Sequence, residues 1–169
     1  MSQLAGSGIA VDVPAGWEGR IYTRPPESEG GRAAAALSPQ TAANATPPLV
    51  ETTAAVLHVA SFPLPPETGD FGGGAVELMT SKDLLVVLFE HGRESANTPL
   101  FAATSMPRLK AADISTTQLQ RALEGQGGVQ RFFTLAGRAF CLYVVFGSHA
   151  RRVRTIPVVN GILDTLTIN

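Results

Sequence analysis

Two adjacent runs of aromatic and β-branched residues constrain the fold of this chain more than any other feature. The runs 129–135 and 138–146 are separated only by an Ala-Gly dipeptide, and a two-residue connection is typical of a tight β-hairpin. Alternate residues of a strand share one face. We therefore expect Phe132 or Phe133 to line the main core together with four residues of the second strand: Phe140, Leu142, Val144 and Phe146.

Other segments with strand character surround this hairpin in the sequence. Residues 8–13 and 17–23 flank a Pro-Ala-Gly turn and are predicted to pair as an N-terminal hairpin. Residues 54–62 resume an alternating pattern before a proline-rich stop. Residues 84–90 are almost entirely apolar, which predicts a central strand buried on both faces.

Helical patterns are few, and the clearest lies at the C-terminus. A helix over 157–166 is predicted from the i, i+3, i+4, i+7 spacing of its apolar residues, with Thr155 as its cap. A short helix is predicted at 75–79, whereas 117–123 fits either a short helix or a strand. The predicted fold class is α+β: a twisted, mainly antiparallel sheet with the C-terminal helix packed on it.

The segment at about 24–53 differs in composition from the rest of the chain. It is rich in Pro, Ala, Ser, Gly and Thr and has almost no large apolar residue, so it buries too little apolar surface to offset its ordering entropy. We expect a flexible excursion there. The length of 169 residues fits one core, so we predict a single domain over 1–169.

Charge and cysteine content exclude several function classes. Only 16% of the residues are charged and the net charge is −1, which disfavours general nucleic-acid binding and leaves a charge-poor surface that tends to associate. Cys141 is the single cysteine, so an intramolecular disulfide is excluded. The sequence has neither a leader pattern nor an apolar run near 18 residues. We expect a cytoplasmic protein without a membrane span.

Motifs that would carry catalysis or cofactor binding are missing from the sequence. His58, His91 and His149 lie in no metal-binding spacing, and Cys141 sits in an apolar strand where a thiol is a poor nucleophile. Gly72–Gly74 is not followed by the Lys-Ser/Thr of a phosphate loop. We therefore predict no catalytic residue, no cofactor and no metal site.

Two sets of charged residues leave other functions open: catalysis for one set, and binding of an anion or an acidic partner for the other. If the protein is an enzyme, the candidates are Asp70, Glu90 and His91. The dense group of Arg151, Arg152 and Arg154 is interpreted as a solvated loop that forms salt bridges, or as a contact for an anion or an acidic partner.

A short motif near the N-terminus suggests a family. The residues Val11, Val13, Pro14, Gly16 and Trp17, followed by a meander of strands and a terminal helix, resemble the PsbP-like superfamily. This resemblance implies a small α/β/α sandwich that works by binding a partner. It carries over no catalytic residues, because the superfamily shares none.

Large apolar residues in predicted loops give the main functional prediction. They either pack back into the core or form a contact surface, and we take them as the candidate partner-binding residues: Phe71, Leu100, Phe101 and Met106. The predicted function is a non-enzymatic protein-interaction subunit, with a protein partner or self-association, in an oligomer or larger assembly. The alternative is a small-molecule binding domain, with its pocket between the sheet and the loops at 63–80 and 91–107.

Overall fold

The computed structural model describes residues 1–24, 54–121 and 123–169. The regular secondary structure of these residues consists of two antiparallel sheets and one C-terminal α-helix, joined by loops and short 3₁₀ turns. The predicted α+β class is therefore confirmed. Apart from its first residue, Arg24, the predicted excursion at about 24–53 lies outside the described residues.

The strands form a five-stranded and a three-stranded sheet. The larger has the order β3-β4-β5-β7-β6 and the smaller has the order β1-β2-β8. The elements are β1 (Ser2–Gly6), β2 (Ile9–Val13), β3 (Glu18–Arg24), β4 (Ala54–Ala60), β5 (Leu84–Glu90), β6 (Gly127–Leu135), β7 (Arg138–Phe146), α1 (Arg152–Thr165) and β8 (Thr167–Ile168). Short 3₁₀ turns occupy Val76–Leu78, Arg93–Ser95, Pro99–Phe101, Ala111–Asp113 and His149–Arg151.

The hairpin of β6 and β7 is confirmed, and its turn has the expected backbone geometry. Ala136 and Gly137 have φ angles of 52° and 72°, the paired positive values of a type I′ turn. β5 lies between β4 and β7, and each of its residues is buried. The prediction of a central strand buried on both faces is therefore also confirmed.

The two faces of the large sheet pack against different layers. On one face, β4, β5 and β7 contact α1 and the small sheet. The buried core residues of β6 and β7 on this face are Val129, Phe133, Phe140, Leu142, Val144 and Phe146. The other face packs against the segments before and after Val76–Leu78 and against Leu119 and Leu123. Phe132 lies on this second face, so Phe133 is the residue in the main core.

The predicted N-terminal hairpin is wrong in its pairing. β2 pairs with β1 across Ser7 and Gly8, whose φ angles are 51° and 73°, and β3 pairs with β4. The Pro14–Trp17 turn, closed by a 3.1 Å bond from the Trp17 N–H to the Pro14 carbonyl, takes the chain from the small sheet to the edge of the large one. The described residues of 117–123 belong to neither a helix nor a strand.

The C-terminal helix begins five residues before its predicted start. A 3₁₀ turn at His149–Arg151 leads directly into α1, so Pro157 lies inside the helix. Proline lacks the N–H that would bond to the carbonyl of Val153, and Val153 is 66% exposed. The early start adds one turn to the helix and brings Val153 and Arg154 onto its solvent-facing side.

Candidate functional site

The Asp70 side chain ties a loop to the edge of the large sheet. Its Oδ1 accepts a hydrogen bond from the Tyr22 hydroxyl at 3.0 Å, and its Oδ2 lies 3.2 Å from Nη1 of Arg24. The Asp70 carbonyl lies 3.0 Å from Nε2 of His58. The loop is thus held by three residues of β3 and β4, two of which the sequence did not single out.

Burial favours the neutral forms of the Tyr22 and His58 side chains. Burial, the hydrogen bond to Asp70 and the negative charge of Asp70 raise the pKa of the Tyr22 hydroxyl well above its usual value. Burial lowers the pKa of His58, although its bond to the Asp70 carbonyl opposes this shift. A neutral Tyr22 donates to a carboxylate and a neutral His58 donates to a carbonyl. Asp70, Tyr22, Arg24 and His58 thus form a structural clamp between the loop and the sheet. The Tyr22 hydroxyl and Nε2 of His58 are already bonded within it.

The three enzyme candidates have different partners. Asp70 belongs to the clamp, whereas Glu90 forms an ion pair with Arg138 at 2.8 Å. His91 lies edge-on to Phe89 and Phe101, with ring centroids 4.9 and 5.0 Å away. We find no nucleophile, base and orienting group in mutual contact among these residues.

A cleft of about 600 Å³ opens beside the clamp, between β3 and the segment 66–73. Arg20 and Tyr22 form its sheet side, and Pro66–Gly69 together with Gly73 form the loop side. Arg20 donates to the Pro65 and Pro66 carbonyls at 3.0 and 3.2 Å. Of the two loops at 63–80 and 91–107 that the predicted pocket involved, only the first lines this cleft.

The four predicted partner-binding residues do not share one exposed surface. Phe101 is only 4% exposed and contacts Phe132. Phe71 is half-buried and stacks on Phe89 at 5.0 Å, and Met106 is half-buried against the main core. Leu100 alone is well exposed, at 60%.

The glycine run at 72–74 has a structural role. Gly72 has a φ of +82°, and a Cβ there would collide with the Leu85 side chain. The Gly74 N–H donates to the Glu77 carboxylate at 2.8 Å, so this amide is already bonded. The run shapes a tight turn against the sheet.

The surface that sequence reasoning missed is the outer face of α1. Val153 and Val158 are 66% and 43% exposed, and Pro157 and Gly161 are exposed beside them. A helix that begins at Pro157, as the sequence pattern predicts, does not include Val153. A helical pattern extended back to Arg152 would have revealed a second apolar stripe.

The arginine group before and within the first turn of α1 divides into two roles. Arg152 donates to the carbonyls of Ala111 at 3.2 Å and His149 at 2.9 Å, which anchors the start of the helix. Arg154 is exposed on the outer face. Only part of the group therefore serves the fold.

No family model, curated protein or solved structure matches this chain. Within the described ranges, no helix is long and apolar enough to cross a membrane. The same ranges contain no group of three or more His, Cys, Asp or Glu residues placed to hold a metal ion.

Proposed function

We propose that the protein is an association subunit that binds a protein partner through the outer face of α1. The observation that carries this proposal is the apolar content of that face: Val153, Pro157, Val158 and Gly161 are all exposed on one helix. A helix at the surface of a globular protein normally turns polar residues to solvent. Exposed apolar patches of this kind mark interaction sites.

Gly161 adds a second argument for a partner. A glycine inside a helix costs about 1 kcal/mol of stability relative to alanine. A Cβ at position 161 would meet no atom within 4 Å, so packing within the described chain does not require glycine there. A surface that approaches the helix closely would require it.

Burial of the two valines would supply the driving force. Fully burying a valine side chain contributes about 1.5–3 kcal/mol, and Val153 and Val158, at 66% and 43% exposure, would each contribute a part of this value. The low charge content of 16% supports the same role, as does the PsbP-like resemblance, which implies partner binding. The cytoplasmic location remains a prediction alongside this proposal.

The test compares two exposed apolar residues on different surfaces. Val158→Asp and Leu100→Asp each remove one apolar side chain and add one negative charge, and both positions are exposed. In size-exclusion runs of concentrated native cell extract, we expect the tagged wild-type chain in a complex larger than its tagged monomer, whose untagged mass is 17.7 kDa. Val158→Asp should release the chain from it and Leu100→Asp should not.

Two results would contradict this proposal. Wild type that elutes at its monomer mass in the extract and also stays monomeric when purified and concentrated would remove the need for any partner. A complex lost in Leu100→Asp and kept in Val158→Asp would move the interface to the predicted loop surface around Leu100.

A small-molecule binding domain is the second candidate function, favoured by the cleft of about 600 Å³ between β3 and 66–73. Its volume lies within the usual range for ligand pockets, and the Tyr22 ring offers an aromatic wall. Gly73 lines the cleft, and a Cβ there would meet no atom within 4 Å. A side chain at position 73 therefore begins in open space, and the ring of Gly73→Trp should obstruct the cleft.

Native mass spectrometry of the protein purified from its own cells tests this candidate. A bound small molecule present on wild type and on Gly73→Ser, but lost in Gly73→Trp, is the expected result. Wild type without any bound molecule, or a molecule retained by Gly73→Trp, would count against the cleft.

A further inference from the structure

We infer that the occupant of the outer face of α1 is a second copy of this chain, whose own α1 packs antiparallel across a two-fold axis level with residue 159. This inference rests on the proposed function and names its partner. The exposed residues of the helix form a stripe of two neighbouring rows with three- or four-residue spacing: Val153, Pro157, Gly161 and Asp164 in one row, and Arg154 and Val158 in the other.

The charges on this stripe complement one another only in an antiparallel pair. Arg154 lies in the first turn and Asp164 in the last turn, whereas a helix dipole favours acids at its start and bases at its end. Both residues are five positions from 159. An antiparallel second helix in this register places Arg154 opposite Asp164 of the other copy, and the two-fold axis forms this contact twice.

The shapes on the stripe complement one another in the same register. Pro157 and Gly161 are each two positions from 159. The Pro157 ring of one copy therefore faces the space beside Gly161 of the other copy. Val158 is one position from the axis, and the two copies of Val158 therefore meet near it. Close approach of helices is helped by a small residue at the crossing point, and nothing within 4 Å fills this space at Gly161.

The existing partner of Asp164 does not oppose this contact. Arg108 lies 2.9 Å from Asp164, but the two side chains are 71% and 59% exposed, and exposed pairs of this kind contribute little. A carboxylate accepts several hydrogen bonds, so Asp164 can bind Arg108 of its own chain and Arg154 of the second copy together.

The size of the stripe predicts a weak dimer. The 14 residues of α1 span about 21 Å, and one face of such a helix is smaller than the roughly 800 Å² per partner of a standard interface. We therefore expect dissociation in the micromolar range or above, and weaker association at high salt because the charge pairs are exposed.

The first experiment measures the mass of the purified chain by sedimentation equilibrium from about 10 µM to about 1 mM, the range in which a small interface dissociates. Wild type and the control Leu100→Asp should dimerise, and Val158→Asp should stay monomeric. A wild type that remains monomeric at the highest concentration would overturn the inference.

Charge reversal then tests the antiparallel register. All variants are made on an Arg108→Gln background, so that the neighbour of Asp164 does not confuse the result. Arg154→Asp and Asp164→Arg should each weaken the dimer about tenfold, because each contact occurs twice. The double reversal should return to within about threefold of the background. A double variant as weak as the single ones would contradict the register.

Gly161→Leu tests the close approach at the axis. The leucine would occupy the space assigned to Pro157 of the second copy, so we expect the dimer to be lost while the monomer melts at or above the wild-type temperature. Unchanged dimerisation of Gly161→Leu would overturn the register. If the purified chain is monomeric but Val158→Asp still releases it from its complex in extract, the association role stands and only the second copy is excluded.

Discussion

Arg138 and Glu90 form a two-point ion pair: Nε of Arg138 lies 2.8 Å from Oε1 of Glu90, and Nη2 lies 2.8 Å from Oε2. The same guanidinium donates to the carbonyls of Ser7 and Asn169, each at 3.0 Å. The pair therefore joins the large sheet to the turn of the small sheet and to the chain end. Both side chains are mostly buried, at 14% and 11% exposure.

Replacing Arg138 with Met should lower the free energy of unfolding by about 3–5 kcal/mol, because it leaves the Glu90 carboxylate without its charged partner in a mostly buried position. Urea unfolding monitored by circular dichroism measures this change. Arg138→Lys, which keeps the charge but not the two-point geometry, should fall between wild type and Arg138→Met.

The double variant Arg138→Met/Glu90→Gln serves as the control for this prediction. It removes the uncompensated charge and should recover part of the loss, as expected for directly coupled residues. A loss below about 1 kcal/mol in Arg138→Met would show that the pair does not stabilise the junction of the sheets.

Stability should fall below about pH 6.5 because of His58. Burial lowers the pKa of His58 in the folded chain below its ordinary value of 6.5, so the unfolded chain takes up a proton first as the pH falls. The contribution of neutral His58 is complete above 6.5 and is lost below it, with a slope of at most about 1.4 kcal/mol per pH unit.

Urea unfolding at several pH values between 5 and 8 measures this slope for wild type and for His58→Gln, whose amide can still donate to the Asp70 carbonyl. The two slopes should differ below pH 6.5 and agree above it. Equal slopes throughout would mean that His58 binds a proton equally well in both states.

Cys141 should be inert to alkylation in the folded protein. Its side chain is buried, Gln130 Nε2 lies 3.3 Å from Sγ, and burial raises its pKa to about 11. The thiolate is the reactive form, so iodoacetamide at pH 8 should label the chain in denaturant and leave the native protein unmodified. Because Cys141 is the single cysteine, intact mass reports the result directly. Rapid labelling of the native chain would contradict this prediction and would support a reactive role for Cys141.

The parts of the fold that local sequence determines were predictable. The hairpin of β6 and β7 depends on neighbouring residues and a two-residue turn, and burial of β5 follows from its apolar run. The pairing of β3 with β4 joins residues separated by a long connection, which local patterns do not encode. The start of α1 was missed because Pro157 fits a first helical turn as well as a tolerated interior position.

The candidate sites were predictable only in part. Asp70 and His58 were singled out from sequence, but their contacts with each other and with Tyr22 depend on the sheet edge and the loop meeting in space. The exposure of Phe101 and Leu100, adjacent in sequence, differs because one side chain turns inward. Hydrophobicity alone does not distinguish such neighbours.

Leu100 and Phe101 should respond oppositely to substitution by Ser. Phe101 is 4% exposed and packs against His91 and Phe132, so Phe101→Ser should cost about 3–5 kcal/mol, as truncation of a buried aromatic does. Leu100 is 60% exposed, and Leu100→Ser should change stability by no more than about 0.5 kcal/mol. Thermal melts of the two variants, with complex size measured in parallel, separate packing from binding. If Phe101→Ser melts like wild type but loses its partner, the loop around Leu100 is the contact surface, and the exposed stripe of α1 is not required for association.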